Sequence, residues 1–285
     1  MAARVRGMFP RTGDGKSMGK LTLLGVCAWV VGAAAAPAAS ESLDRFDVVV
    51  LDAGHGGRDE GAIGPSGLQE KELVLDVVQR LARRLRDRGL TVVLTRKDDR
   101  FLSLEERTAV ANDAGADLFL SIHANASRSR MPIGVETYFA ALDASDESAR
   151  EVAERENTAL GATAPSPSSR DPLAAILGDL IESQHMEESS EFAKLAQTRL
   201  AAIDRARSRG VKQAPFVVLM GVQMPASLVE IGFLSNPSEE RGLRRAERRD
   251  VIAAALSEAV ADFARRYDLR RGVGAVSRFE DETRR

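Results

Sequence analysis

The chain has one cysteine, one tryptophan, two tyrosines and three histidines among its 285 residues. The single cysteine, Cys27, excludes a disulfide framework and a cysteine-built metal site. Packing must then stabilise the fold, and any metal must be held by histidine and carboxylate. Excess charge of one sign is also missing: 40 basic and 42 acidic residues are interleaved to a net charge of −2, which argues against a nucleic-acid partner. Long apolar runs are lacking too. The strongest, residues 21–31, falls short of the ~20 residues that a membrane-spanning helix needs. Lys20 precedes that run and Gly-Ala-Ala-Ala-Ala-Pro-Ala-Ala-Ser follows it, the pattern of a secretory signal peptide. Residues 1–39 are therefore expected to be a leader cleaved near Ala38 or Ala39, with Met18 an alternative start, and Cys27 would leave with it. The mature protein is expected in the periplasm, with no transmembrane segment.

What is present organises itself around residues 47–58, Asp-Val-Val-Val-Leu-Asp-Ala-Gly-His-Gly-Gly-Arg. The apolar run followed by a glycine cluster reads as a buried strand delivering His55 on a polar loop. Leu73, Val74, Val77, Val78, Leu81 and Leu85 repeat at helical spacing up to Gly89, with Glu70 at the helix start. Residues 91–95 read as a second, parallel strand, and Ser103 with Glu106 forms a capping box opening a helix to about Asn112. Residues 117–122 form a third strand, followed by His123-Ala-Asn125. Further strands are expected at 134–139, 216–219 and 227–231, with no strand pattern in the 76 residues between Phe139 and Phe216. That interval reads as an acidic helix at about 145–160, a Ser/Pro/Ala-rich loop at 161–170 and helical segments at about 172–206. A closing amphipathic helix is expected at 250–267.

Two histidines at strand ends of one parallel sheet point to a shared site. A catalytic zinc site often uses two histidines and a carboxylate with one open position. Glu70 can supply that carboxylate, with Glu72 as its competitor two residues on. Glu230, set between Val229 and Ile231 in a hydrophobic strand, needs a partner there: either a metal with its water, or a structural arginine such as Arg96 or Arg107. His185 lies in a polar helical run and is left outside the site.

Asp52-Ala-Gly-His-Gly-Gly57, Glu70-Lys71, Ser121-Ile-His-Ala-Asn125 and Val229-Glu-Ile-Gly-Phe-Leu-Ser-Asn236 together resemble the zinc-dependent N-acetylmuramoyl-L-alanine amidases of bacterial cell walls, over roughly residues 47–267. The resemblance implies His55, Glu70 and His123 as zinc ligands, Glu230 as the catalytic carboxylate, and a single α/β domain with a twisted, mostly parallel six-stranded sheet flanked by helices. Such a domain would span 45–268, with a frayed tail at 269–285. The substrate would be the muramoyl–L-alanine amide of peptidoglycan. The interval at about 141–210 resembles the regulatory insertion of periplasmic cell-separation amidases, which covers the zinc until an activator protein displaces it. Glu147, Glu151, Glu154 and Glu156 lie in the candidate covering helix. The likeness of Arg155-Glu-Asn157 to that subfamily selects Glu156, against a solvated acidic face. A monomer is expected. The alternatives are a zinc peptidase acting on another wall amide, or an inactive wall-binding protein.

Overall fold

The computed structural model describes residues 45–158, 172–203 and 206–273, with the side chains of 172–183 left aside. The expected leader at 1–39 and loop at 161–170 lie outside the described residues, as does most of the expected tail.

Continuous apolar runs make buried strands, and here they make the middle of the sheet. β1 (Val48–Ala53) pairs in parallel with β2 (Thr91–Leu94) on one side and with β3 (Leu118–Asn125) on the other. β3 pairs in parallel with β6 (Ala226–Phe233), and both strands are buried at every position, as expected where helices cover both faces. β4 (Val135–Ala140) runs antiparallel to β6, and β5 (Ser208–Ala214) runs parallel to β4 at the edge, giving the order β2-β1-β3-β6-β4-β5. The fold is thus a single α/β domain with a mixed, mostly parallel six-stranded sheet flanked by helices.

The sheet separates two cores. On one face α1 (Glu70–Asp87), α4 (Pro172–Ala201) and α7 (Ala246–Arg270) pack Leu73, Val77, Leu81, Phe192, Leu256 and Phe263 against Val49, Leu51 and Leu120. On the other face α2 (Leu104–Asp113), α3 (Glu147–Thr158) and α5 (Val217–Met220) pack against Val50, Phe119, Tyr138 and Leu228. α6 (Pro237–Leu243) follows β6, capped by the Asn236 side chain. Ser103 and Glu106 close the capping box at α2.

Three expectations need correction. Residues 216–219 are not a strand: after Phe216 the chain turns into α5, whose first amide, Val217 N–H, donates to Asn157 Oδ1 at 2.9 Å. A four-residue apolar run carries no periodicity that separates a strand from a buried helical turn. The interval between Phe139 and Phe216 does contain a strand, β5. Its sequence Ser-Arg-Gly-Val-Lys-Gln-Ala is polar because it is a half-exposed edge strand paired on one side only. Finally, β3 extends through Asn125, so His123 lies within the strand and not after it.

Candidate metal centre

His55, Glu70 and His123 converge at the carboxyl-end side of β1 and β3, where an open α/β sheet gathers its ligands. The local sequence explains how. His55 itself sits at φ 59°, and the following Gly56 and Gly57 also have positive φ, so the loop doubles back at once after β1. Gly54 leaves the space that the His123 ring fills; a Cβ there would overlap the imidazole. At Gly61 a Cβ would lie 2.6 Å from His55 Cδ2 and 2.7 Å from Glu70 Oε2. Two buried arginines hold the loop's carbonyls. Arg96 donates to the oxygens of Ala53, Gly54 and Lys71 at 2.8–2.9 Å, and Arg107 donates to those of Ala53 and His55 at 2.7 Å. Arg107 also pairs with buried Asp52 at 2.7 Å. Burial pulls Arg96 down to about 10, with the neighbouring Arg107 charge acting in the same direction.

Each ligand atom is aimed. Asp59 Oδ2 takes His55 Nδ1 at 2.9 Å, which turns Nε2 into the site. Glu70 accepts from Ala62 N–H at Oε2 (2.8 Å) and from Ala124 N–H at Oε1 (2.9 Å). Glu72, the competitor, is exposed on the far side of α1.

A fourth atom completes the figure. Glu156, on α3, is 7 % exposed and places Oε2 3.3 Å from His55 Nε2 and 3.1 Å from His123 Nδ1. Glu70 Oε1 lies 3.1 and 3.2 Å from the same two nitrogens. These separations bring two imidazole nitrogens and two carboxylate oxygens close enough to share one cation, and histidine with carboxylate is a donor set that zinc takes. Among the described residues, His55 Nε2 and Glu156 Oε2 make no hydrogen bond, although they are buried and 3.3 Å apart, which leaves both atoms available to a cation. Two carboxylates facing two imidazoles also call for a divalent cation on charge grounds. In its absence protons fill the role. Burial pulls both histidines down, but Glu70 holds His55 well above its ordinary value and Glu156 holds His123 at about 10. Glu70 is driven to about 2 by the two imidazoles, against its burial. The donor set therefore fits a divalent metal.

Glu230 stands opposite His123 in the β3–β6 register, fully buried, with neither carboxylate oxygen partnered. Burial pushes its pKa well above the usual range, and the Glu156 charge adds to the shift. Arg107 pairs with Asp52 and the Arg96 guanidinium is spent on carbonyls, so neither serves Glu230. α3 closes the site from above. Its buried positions Ala149, Val152, Ala153 and Glu156 follow helical spacing, whereas Glu147, Glu151 and Glu154 are exposed. The pocket left beside His55, His123, Glu156 and Val218 holds about 20 Å³, the room of a single water. Arg155 donates to Ala126 O at 2.7 Å and to Asn125 Oδ1 at 3.0 Å, and Asn157 donates to Pro215 O at 2.7 Å. His185 lies away from this centre on α4.

Sequence reasoning passed over Asp59, Arg96 and Arg107 as parts of the site. An acid four residues after His55, in a loop too tight to point it elsewhere, was the readable signal for Asp59. The two arginines were named only as possible partners of Glu230; their bonds to the loop's backbone carbonyls leave no mark in the sequence.

Residues 49–262 match the family model described as N-acetylmuramoyl-L-alanine amidase. The chain is 36 % identical over 223 residues to N-acetylmuramoyl-L-alanine amidase AmiA of Escherichia coli K12, covering 78 % of this chain and 77 % of the relative. Among solved structures it is similar to the N-acetylmuramoyl-L-alanine amidase of Clostridium difficile 630 (28 % identity, TM-score 0.59, 77 % of this chain and 97 % of the other). It is also similar to AmiC2 of Nostoc punctiforme (26 %, TM-score 0.59, 77 % and 98 %).

Proposed function

The chain belongs to the N-acetylmuramoyl-L-alanine amidase family, and from that premise we propose that it hydrolyses the amide between N-acetylmuramic acid and L-alanine in peptidoglycan as a zinc enzyme held shut by its own α3. The observation that carries this reading is the convergence of His55, Glu70, His123 and Glu156, of which the first three come from the loop after β1, the start of α1 and β3, and the fourth from a helix that the substrate must displace.

His55, Glu70 and His123 would hold the zinc, which would supply a Lewis acid for the scissile carbonyl and for an attacking water. Glu230 takes the proton of the attacking water and delivers it to the departing amine of L-alanine. Its burial suits it to that exchange: burial raises its affinity for a proton, and a cation alongside would favour the ionised form that can accept one. Asp59 keeps the His55 tautomer fixed throughout. Arg96 and Arg107 keep the loop from relaxing away from β3.

Glu156 serves as an internal fourth ligand, and Arg155 with Asn157 fastens the helix that carries it. Release calls for a partner, so the protein is proposed to act in cell separation, exported to the periplasm as a monomer and switched on by an activator that engages the insertion at about 141–210. Among the described residues no helix is long and apolar enough to cross a membrane. A peptidase acting on another wall amide would use the same ligands and is told apart by its product. An inactive wall-binding protein would have no use for Glu230 beside a complete ligand set.

His123→Ala is expected to lower zinc content from about one per chain to below about 0.1, a loss of at least tenfold in affinity, with the fold retained by circular dichroism. Full zinc content in that variant, measured by atomic emission on purified protein, would remove His123 from the centre.

A further inference from the structure

Asn125 lies two residues beyond His123, 2 % exposed, at the point where the β3–β6 register shifts. Its Oδ1 accepts from Arg155, whereas its Nδ2 has no hydrogen-bond partner among the described residues. A buried amide donor left unpaired is costly and rare. Bulges beside active sites are the usual means of re-aiming a side chain, and the shift between His123 and Asn125 is of that kind. The contact with Arg155, which α3 carries over the metal centre, places the Asn125 side chain on the site's face of the sheet. The motif Ser121-Ile-His-Ala-Asn125 therefore carries two functional side chains, of which the metal reading uses only His123.

We propose that Asn125 is a substrate-binding residue of the amidase: its Nδ2–H donates to a peptide carbonyl of the muramoyl-peptide next to the bond being cut. This rests on the amidase reading above. In the closed protein Arg155 holds Asn125 by its other end, so the helix that blocks the metal also occupies the side chain that receives the substrate. A peptide carbonyl suits the site because the unmet group is a neutral donor. An anionic group is unsuited to it, since the adjacent Ala124 amide is bound to the Glu70 carboxylate and Glu230 stands opposite His123 two residues away.

The test uses the full chain carrying Arg155→Ala and Glu156→Ala, so that loss of the Arg155 bond cannot account for any change. On that background Asn125→Asp, which keeps the shape but cannot donate, and Asn125→Ala are each expected to lower kcat/KM on a soluble muramoyl-L-alanyl peptide at least tenfold. Asn125→Ser, which keeps a donor, should fall between them and the parent. Zinc content and melting temperature should stay those of the parent in all three. Activity within twofold of the parent for both Asp and Ala overturns the proposal, as does a loss that tracks loss of zinc. Should the zinc-loaded parent itself release no peptide, the amidase reading fails and takes the proposal with it, which that control distinguishes.

Discussion

Replacing Glu230 by glutamine is expected to lower turnover of purified peptidoglycan by about 10²–10⁴-fold, the contribution of a positioned acid–base group, while zinc stays at about one per chain. Three facts lead to this result. Glu230 is buried without a hydrogen-bond partner, so removing its charge breaks no structural pair. It faces His123 across one strand register, close enough to serve the same reacting centre. It is not among the atoms that converge on the metal, which are His55 Nε2, His123 Nδ1, Glu70 Oε1 and Glu156 Oε2. Glutamine has the same volume and no basicity, and the variant should be at least as stable as the parent because an unpaired buried carboxyl is lost. Retained turnover would assign the proton transfer to another group. Lost zinc would make Glu230 a support of the metal and not a base.

Substituting Arg155 and Glu156 together by alanine is expected to act in the opposite direction, raising basal hydrolysis about tenfold or more. An autoinhibitory coupling of 1–3 kcal/mol corresponds to 5–150-fold. The pair is needed because either side chain alone leaves half the fastening in place. Glu156 Oε2 lies 3.3 Å from His55 Nε2 and 3.1 Å from His123 Nδ1, while Arg155 ties α3 to Ala126 and Asn125 at the end of β3. Packing of Ala149, Val152 and Ala153 against the sheet persists in the variant, so opening is more frequent and not permanent. Dye release from labelled cell wall, with and without the double substitution at equal zinc content, reads the effect. Equal or lower activity in a folded, zinc-loaded variant would count against inhibition by α3.

Much of this was legible in the residues, for identifiable reasons. β1, β3 and β6 announced themselves because a strand buried on both faces is a continuous apolar run, and a single charge within such a run, Glu230, stands out against it. α1 was readable from its period and from Gly89 beyond it, which adopts a positive φ. β5 and α5 were not. β5 is an edge strand whose polar side chains are set by solvent on one side, and α5 is too short to show a period. In α3 the period itself separates the four glutamates: Glu156 shares the face of Ala149, Val152 and Ala153, and the other three project into solvent. The support that Arg96 and Arg107 give the loop stayed hidden because a guanidinium bound to backbone carbonyls leaves no mark in the sequence, and the Asp52 partner of Arg107 is distant along the chain.

The most direct test digests purified peptidoglycan with the zinc-loaded Arg155→Ala/Glu156→Ala chain and identifies the products by mass spectrometry, with a parallel digest in a metal chelator. Intact stem peptides beginning with L-alanine, released beside peptide-free glycan and absent from the chelated digest, are the predicted result. Shortened stems still attached to the glycan, or the same release with the metal removed, would contradict it.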